Sequence, residues 1–363
     1  MTLVERAARY VEIPSVSGTE RALADEVERE LRTAPSLEVT RIGDNVVART
    51  TGSRQGRVVV AGHLDTVPGD PGVEVADGEV RGLGACDMKG SLAVMTELAI
   101  EDLALSSEVT WIYYVCEEVA RERSGLLEVA ARDEALLDGD AAVVCEPTGC
   151  VVEAGCQGVV RVQLELSGVR AHTARPWRGR NAVHRLTGPL SAVAAYIPRH
   201  VELDGVTYAE QLQAVEVTGG IAGNVVPDRA TLTVGLRVAP DRTAADGVAQ
   251  LRELFEPYLE PKDSLTVLDT AEPAPPSLSH PVLQRLVALT GAPARAKLGW
   301  TDVATFAARG VPAANFGAGD PELAHHAGEF VEAAELESSA AVRSAVSVSP
   351  HRSSSAASTN SPA

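Results

Sequence analysis

The stretch VVVAGHLDTVP, residues 58–68, predicts the architecture around it. Four consecutive apolar residues are typical of a buried strand, and a histidine and an aspartate follow at its carboxyl end. Helix-like and strand-like segments alternate on both sides of it. The helix-like ones are TERALADEVERELRTA, KGSLAVMTELAIEDLAL and SGLLEVAARDEALL; the strand-like ones are RVVVAG, EVTWIYYV and AAVVCEP. This alternation predicts an α/β fold with a central, mostly parallel sheet flanked by helices.

The pattern changes near Val159 and returns to its first form after the Pro-rich segment AEPAPPSLSHP. Between them, strand, helix, two strands, helix and strand follow one another, as in a small α+β sandwich. We therefore predict a discontinuous main domain, residues 1–158 and 276–345, interrupted by an inserted domain, residues 159–275. The Ser-rich residues 346–363 are expected to be disordered.

Composition excludes several classes of protein. The chain has 363 residues, with 32 Lys and Arg against 50 Asp and Glu, and a net charge of −18. Such an acidic balance argues against a nucleic-acid partner. No apolar run is long enough to span a membrane and no export signal is visible. Five unevenly spaced cysteines favour reduced thiols, so a cytoplasmic location is expected.

Potential metal ligands recur at the ends of successive elements. These residues are His63 and Asp65 after the first buried strand, Asp87 in a Gly-bounded turn, Glu117 and Glu118 after WIYYV, Glu146 after AAVV, and His325 with His326 after PAANFG. Each alone also fits an ordinary turn or a helix N-terminus. Together they would meet in one crevice, because the carboxyl ends of parallel strands converge. The set predicts a mixed nitrogen and oxygen site for zinc or a similar divalent metal, and its many carboxylates indicate two ions that share a ligand. Asp65 would orient His63.

The motifs AGHLDTVP, GLGACDMKG, CEE and EPTG, followed by the late histidine, resemble those of the M20 metallopeptidases, which include two-zinc aminoacylases and carboxypeptidases. The resemblance extends to about Phe330. It implies two zinc ions, with cobalt as an alternative, and a zinc-exopeptidase-like main domain. The implied roles are Asp87 as the bridging ligand, His63 and Glu146 as ligands of one ion, Glu118 and His325 as ligands of the other, and Glu117 as the general base. An acidic residue four positions on, Glu329, favours His325, and His326 stays open as the alternative.

Within this group, the motifs EPTGCVVEAGCQG, GNVVPD, GWTDVATF and NFGAGDPELAH most resemble enzymes that remove succinate from N-succinyl-LL-2,6-diaminopimelate, a step of lysine biosynthesis. The resemblance implies a homodimer formed through the inserted domain, and a small N-acyl amino acid as substrate. His172 of GVRAHTARP would act in the partner's site. The residues implied in substrate binding are Asn224, Arg237 and Thr301.

Other functions remain open from the sequence. They are a different M20 activity, such as an acetylornithine deacetylase, an acylamino-acid hydrolase or a dipeptidase, and a metal-binding dimeric scaffold without catalysis. Two features depart from the family pattern. The segment after Phe330 is rich in Ala, Ser and Val and is expected to pack poorly. Arg121 and Arg123 follow the acid pair, and would weaken binding of the second ion if they pointed inward.

Overall fold

The computed structural model describes residues 1–101, 107–326 and 328–341. The predicted tail, 346–363, and residues 342–345 of the Ala- and Ser-rich segment before it lie outside these residues. In the described part of the chain, no helix has the length and apolar character needed to cross a bilayer.

The main body is a central sheet between two layers of helices. The helices of the chain are α1 (Leu3–Glu12), α2 (Arg21–Leu31), α3 (Gly90–Ile100), α4 (Gly125–Arg132), α5 (Ala182–Arg185), α6 (Thr187–Ala194), α7 (Ala244–Phe255), α8 (Pro281–Thr290), α9 (Val303–Ala307) and α10 (Ala333–Ala341). The strands of the central sheet are β1 (Leu37–Ile42), β2 (Asn45–Thr50), β3 (Arg57–His63), β6 (Glu108–Tyr114), β7 (Ala141–Val144), β8 (Glu153–Ala154), β17 (Arg295–Ala296) and β18 (Ala313–Asn315).

The strand order in this sheet is β1-β2-β6-β3-β7-β18-β8-β17. The central neighbours β6, β3, β7 and β18 are parallel. Antiparallel pairs flank them, β1 with β2 and β2 with β6 on one side, β18 with β8 on the other. Side chains of β3 alternate between the two helix layers: Val58 and Val60 join the core containing α1, α2 and α3, whereas Val59 and Ala61 join the core containing α4 and α9. Burial on both faces explains why this strand is continuously apolar.

A second, antiparallel sheet has the order β13-β15-β9-β16. Its strands are β9 (Gly158–Ser167), β13 (Leu212–Gly219), β15 (Arg229–Val238) and β16 (Ser264–Ala271). On β9, Val160, Val162 and Leu164 are fully buried, and the residues between them point away from this core. The buried face packs against α5, α6 and α7, as expected for a two-layer α+β unit.

The remaining strands form small ribbons. These strands are β4 (Glu74–Ala76), β5 (Glu79–Arg81) and β19 (Phe330–Glu332) in one sheet, β10 (Ala171–His172) with β14 (Val225–Val226), and β11 (His200–Leu203) with β12 (Val206–Ala209). The β11–β12 hairpin was missed from the sequence, although its turn, Asp204–Gly205, carries a strong hairpin signal. Both residues have positive φ, 50° and 81°. Tyr208 of this hairpin donates a 2.7 Å hydrogen bond to the carbonyl of Ala154 in the main sheet.

The predicted fold class is confirmed: a mostly parallel central sheet with flanking helices, and a separate antiparallel sheet contributed by the middle of the chain. The domain limits at residues 158 and 275 stay a prediction.

Candidate metal centre

The central strands carry the predicted ligands to one edge of the sheet. His63 is the last residue of β3, and the register of the parallel strands places it opposite Tyr114, the last residue of β6. Glu117 and Glu118 follow β6, and Glu146 follows β7. Because β3, β6 and β7 are parallel neighbours, their carboxyl ends open into the same crevice.

Asp87 lies at the middle of a cluster of imidazoles and carboxylates. Its Oδ1 is 3.0 Å from Nε2 of His63, and its Oδ2 is 3.5 Å from Nε2 of His325. The same nitrogen of His325 lies 2.8 Å from Oε1 of Glu118. Potential ligand atoms of His63, Asp87 and Glu146 all lie within 4.8 Å of one another, as do those of Asp87, Glu118 and His325. These two groups share Asp87, and a third group joins His63, Glu117 and Glu118.

These residues fit a pair of divalent cations on the chemistry of their donors. Each group offers one imidazole nitrogen and carboxylate oxygens, a set that suits zinc. Glu146 is 6% exposed, and its Oε1 is buried without a hydrogen-bond partner among the described residues. A buried carboxylate oxygen without a donor is costly unless a cation contacts it.

Electrostatics point to the same fit. Burial, and then the charge of Glu146, raise the pKa of Glu117 well above its ordinary range. Burial, and then Asp87, raise the pKa of Glu146 to about 7. The hydrogen bond to Asp87, opposed by burial, raises the pKa of His325 to about 9. The ionised carboxylates therefore repel each other, and cations bound between them would stabilise their ionised forms.

Asp65 supports both halves of the cluster. Nδ1 of His63 lies 3.0 Å from the backbone carbonyl of Asp65 and 3.6 Å from its carboxylate, which leaves Nε2 facing Asp87. The two carboxylate oxygens accept hydrogen bonds from the amides of Glu117 and Glu118, both at 3.0 Å. The hydroxyl of Ser17 donates a further bond at 2.8 Å. The sequence indicated the contact with His63, but not that Asp65 also fixes the loop carrying the acid pair.

Glu329 holds the loop that carries Asp87. Its Oε1 accepts hydrogen bonds from the amides of Cys86 and Asp87, both at 2.8 Å, and the side chain is 2% exposed. In the sequence, Glu329 served only to favour His325 over His326 as the ligand, and its contact with the amides of Cys86 and Asp87 was missed. Nothing local could reveal it, since it joins residues more than 240 positions apart.

The two adjacent histidines lie in different surroundings. Both histidines line a neighbouring surface cleft, but only His325 contacts Glu118 and lies near Asp87; His326 belongs to none of the candidate ligand groups in the described residues. This placement favours His325 as the ligand. The position of Glu329 in the sequence favoured the same histidine.

His172 lies in a short ribbon of the second sheet region, in β10 opposite Val225 of β14. Its side chain is exposed, and its Nδ1 accepts a 3.0 Å hydrogen bond from the amide of Ala174. Asn224 is also exposed, and its carbonyl accepts from the amide of Thr173. These two predicted residues are therefore near neighbours. Neither belongs to a candidate ligand group of its own chain.

A cleft of about 580 Å³ adjoins the acid pair, and its lining includes Arg237. Thr301, in contrast, does not line this cleft. It is 3% exposed, and its hydroxyl donates a hydrogen bond to Oδ1 of Asn315 at 2.7 Å. Its neighbours Trp300 and Asp302 line the cleft instead. The structure thus brings Arg237, but not the Thr301 hydroxyl, to the cleft.

Lys297 is a charged residue near the cluster that the sequence did not single out. Its Nζ lies 3.1 Å from Oε2 of Glu153, and the side chain is 12% exposed. Burial opposes its charge, but Glu146 and Glu153 raise its pKa. A single lysine after a two-residue strand carries no recognisable sequence signal. Cys86 and Cys116 are buried, and they stand in no candidate ligand group of the described chain.

Comparison with known proteins agrees with this arrangement. The model of peptidase family M20/M25/M40 matches residues 59–347. A succinyl-diaminopimelate desuccinylase of Corynebacterium glutamicum is 42% identical over 345 residues, which are 92% of this chain and 93% of that protein. A candidate succinyl-diaminopimelate desuccinylase, DapE, of Mycobacterium tuberculosis H37Rv is 44% identical over 325 residues, 89% of this chain and 91% of that protein.

Among solved structures, a tripeptidase of Staphylococcus aureus shares the fold with a TM-score of 0.76 at 20% identity, over 95% of this chain and 96% of that one. The family expected from the five motifs is confirmed. The chain belongs to peptidase family M20/M25/M40.

Proposed function

We propose that this protein is a metal-dependent amide hydrolase that removes succinate from N-succinyl-LL-2,6-diaminopimelate. The observation that carries the proposal is the cluster around Asp87, in which two groups of potential metal ligands share one carboxylate beside Glu117. The substrate follows from the desuccinylases that are 42% and 44% identical over about nine-tenths of the chain.

His63 and Glu146 would hold one zinc ion, Glu118 and His325 the other, and Asp87 both. Bound there, the ions would supply Lewis acidity that lowers the pKa of water and polarises the amide carbonyl. Asp65 and Glu329 would position the ligands, through Nδ1 of His63 and the amide of Asp87.

Glu117 would be the general base and acid. Its backbone amide is fixed by Asp65, so its carboxylate is held next to the ligand Glu118. In the forward reaction Glu117 accepts a proton from the attacking water, whose oxygen forms a bond to the amide carbon. The carbon–nitrogen bond then breaks, and Glu117 returns the proton to the departing nitrogen. The products are succinate and the free amine of diaminopimelate.

His172 would stabilise the oxyanion in the active site of a partner subunit. The hydrogen bond from the amide of Ala174 makes Nδ1 an acceptor, so the proton of the neutral ring lies on Nε2. An exposed Nε2–H is a suitable donor to a developing negative charge.

A homodimer is therefore part of the proposal. The edge strand β13 of the second sheet supports it. Val215 and Val217 on this strand are 58% and 50% exposed, and an apolar edge strand of this kind favours pairing with another chain.

We also place the protein in the cytoplasm. All five cysteines are free thiols, four of them buried, and free thiols persist in a reducing compartment.

The test is hydrolysis by the purified protein after chelation, with zinc or cobalt added back. We expect metal-restored release of succinate from N-succinyl-LL-2,6-diaminopimelate, and little hydrolysis of N-acetylornithine. Preferential hydrolysis of N-acetylornithine, or of a dipeptide, would replace the desuccinylase proposal by another M20 activity. Metal binding without hydrolysis of any of these would favour a scaffold.

A further inference from the structure

The cleft beside the acid pair gathers three arginines from separate parts of the chain: Arg121, Arg161 and Arg237. Arg121 follows β6 at the rim of the central sheet, whereas Arg161 and Arg237 are on β9 and β15 of the second sheet. The cleft therefore lies between the two sheets, with cationic side chains on both of its walls. Acidic residues outnumber Lys and Arg by 50 to 32 in this chain, so three arginines in one cleft need an explanation.

These arginines lack carboxylate partners. Among the described residues, none of the three has an Asp or Glu oxygen within 4.0 Å, the distance at which most other arginines of the chain form ion pairs. Burial, and then the nearby charge of Arg161, lower the pKa of Arg237. Two arginines that repel each other in a partly buried place favour an anion between them.

Arg121 is held at the cleft by an aromatic ring. Its guanidinium carbon lies 5.7 Å from the centre of the Trp300 ring, a cation–π contact that leaves the donors at the guanidinium edge free for a ligand. Arg123, two residues later, has another environment: its Nη2 is 3.9 Å from Sγ of Cys116, and it does not line the cleft. The two arginines after the acid pair are thus not equivalent.

The acidic groups in the cleft do not neutralise these arginines. Glu117 and Glu118 belong to the candidate metal cluster, and Oδ1 of Asp302 accepts a hydrogen bond from Thr305 at 2.6 Å. The charge of Arg121 acts on Asp302 from a distance, but no ion pair within 4.0 Å joins these two residues. Asp269 is the cross-strand neighbour of Arg161, but no ion pair joins them. Glu122 is exposed at the rim.

We propose that Arg121 and Arg161 bind the terminal carboxylate of the acyl chain, and so select a succinyl over an acetyl group. This inference rests on the proposed function, and Arg237 is left for a carboxylate of the amino acid part. Only two methylene groups separate the succinyl carboxylate from the scissile carbonyl. The carboxylate must therefore bind near Glu117, in the cleft that these arginines line. Guanidinium groups suit this task because they bind carboxylates with paired hydrogen bonds.

The test compares two substrates that differ only in the acyl group, N-succinyl- and N-acetyl-LL-2,6-diaminopimelate, on the zinc-loaded enzyme. We expect Arg121→Gln and Arg161→Gln each to lower kcat/KM for the succinyl substrate ~10- to 100-fold, mainly through KM, the size expected when a charged hydrogen-bonding partner is lost. The acetyl substrate should change less than about threefold, since it has no terminal carboxylate to lose. Arg123→Gln is the matched control and should leave both substrates unchanged.

Equal losses on both substrates, or no loss on either, would overturn the inference. If the wild type hydrolyses neither substrate, the proposed function is refuted, whereas the inference about the arginines is still open to test. The arginines are then tested by calorimetry of succinate binding to the metal-free protein. Weaker binding by Arg121→Gln than by Arg123→Gln would support the anion site, and equal binding would refute it.

Discussion

Glu329 offers a test of how this fold supports the proposed metal centre. One oxygen of this buried carboxylate accepts the amide hydrogens of both Cys86 and Asp87 at 2.8 Å. A hydrogen bond to a charged group contributes about 1.5–3 kcal/mol, so Glu329→Ala removes about 3–6 kcal/mol of interaction. It also leaves two buried amides without an acceptor. Glu329→Gln is the matched control, because its amide oxygen can still accept both bonds.

Two measurements separate the consequences. The free energy of unfolding, from urea titration of the metal-free protein, should fall by about 3 kcal/mol or more in Glu329→Ala and by about 1 kcal/mol in Glu329→Gln. Zinc affinity, from competition with a chromogenic chelator, should fall ~10- to 100-fold in Glu329→Ala, because the loop that presents Asp87 is no longer fixed. The glutamine variant should bind zinc within a few-fold of the wild type.

The reasoning is refuted if Glu329→Ala unfolds within about 1 kcal/mol of the wild type and keeps its zinc affinity. It is also refuted if the glutamine variant is as damaged as the alanine variant. In that case the charge of Glu329, rather than its two amide hydrogen bonds, would be the important property.

Three further predictions concern catalysis, assembly and pH. Glu117→Gln should lower kcat ~10²- to 10⁴-fold while two zinc ions per chain stay bound, because a general base is lost and no ligand is; loss of zinc would instead make Glu117 a ligand. His172→Ala should lower kcat ~10²- to 10³-fold. Mixing it with Glu117→Gln should restore about a quarter of the activity, because each mixed dimer rebuilds one complete site; no recovery after subunit exchange would mean that His172 acts in its own chain or not at all. Hydrogen bonds from Arg29 and Arg9 lower the pKa of Glu26 from its ordinary 4.5 to about 2. Its ionised form therefore stabilises the fold above pH 4.5, and this contribution disappears as the pH falls towards 2. Glu26→Gln should be less stable than the wild type at pH 7 by up to about 1 kcal/mol, since both arginines are half exposed. The difference in free energy of unfolding between Glu26→Gln and the wild type should shrink in urea titrations at low pH. A difference that persists there would contradict the expected loss of the Glu26 contribution on protonation.

Local patterns were enough to predict the fold class and the side chains that the structure gathers as candidate metal ligands. The apolar run of β3 needs a sheet with helices on both faces, and chemically active side chains directly after buried strands are brought together by parallel topology alone. His63, Glu118 and Glu146 could therefore be assigned to one crevice before any distance was known. The Asp204–Gly205 hairpin was equally visible in the sequence and was overlooked.

The sequence by itself determined which residues could bind metal, because ligand type and position at a strand end are local properties. Only the tertiary structure decided what surrounds them. The contact of Glu329 with the Asp87 loop joins two distant parts of the chain, and the different orientations of Arg121 and Arg123 depend on Trp300 and Cys116. No pattern along the chain encodes such distances, since they are fixed by how separate elements pack against one another.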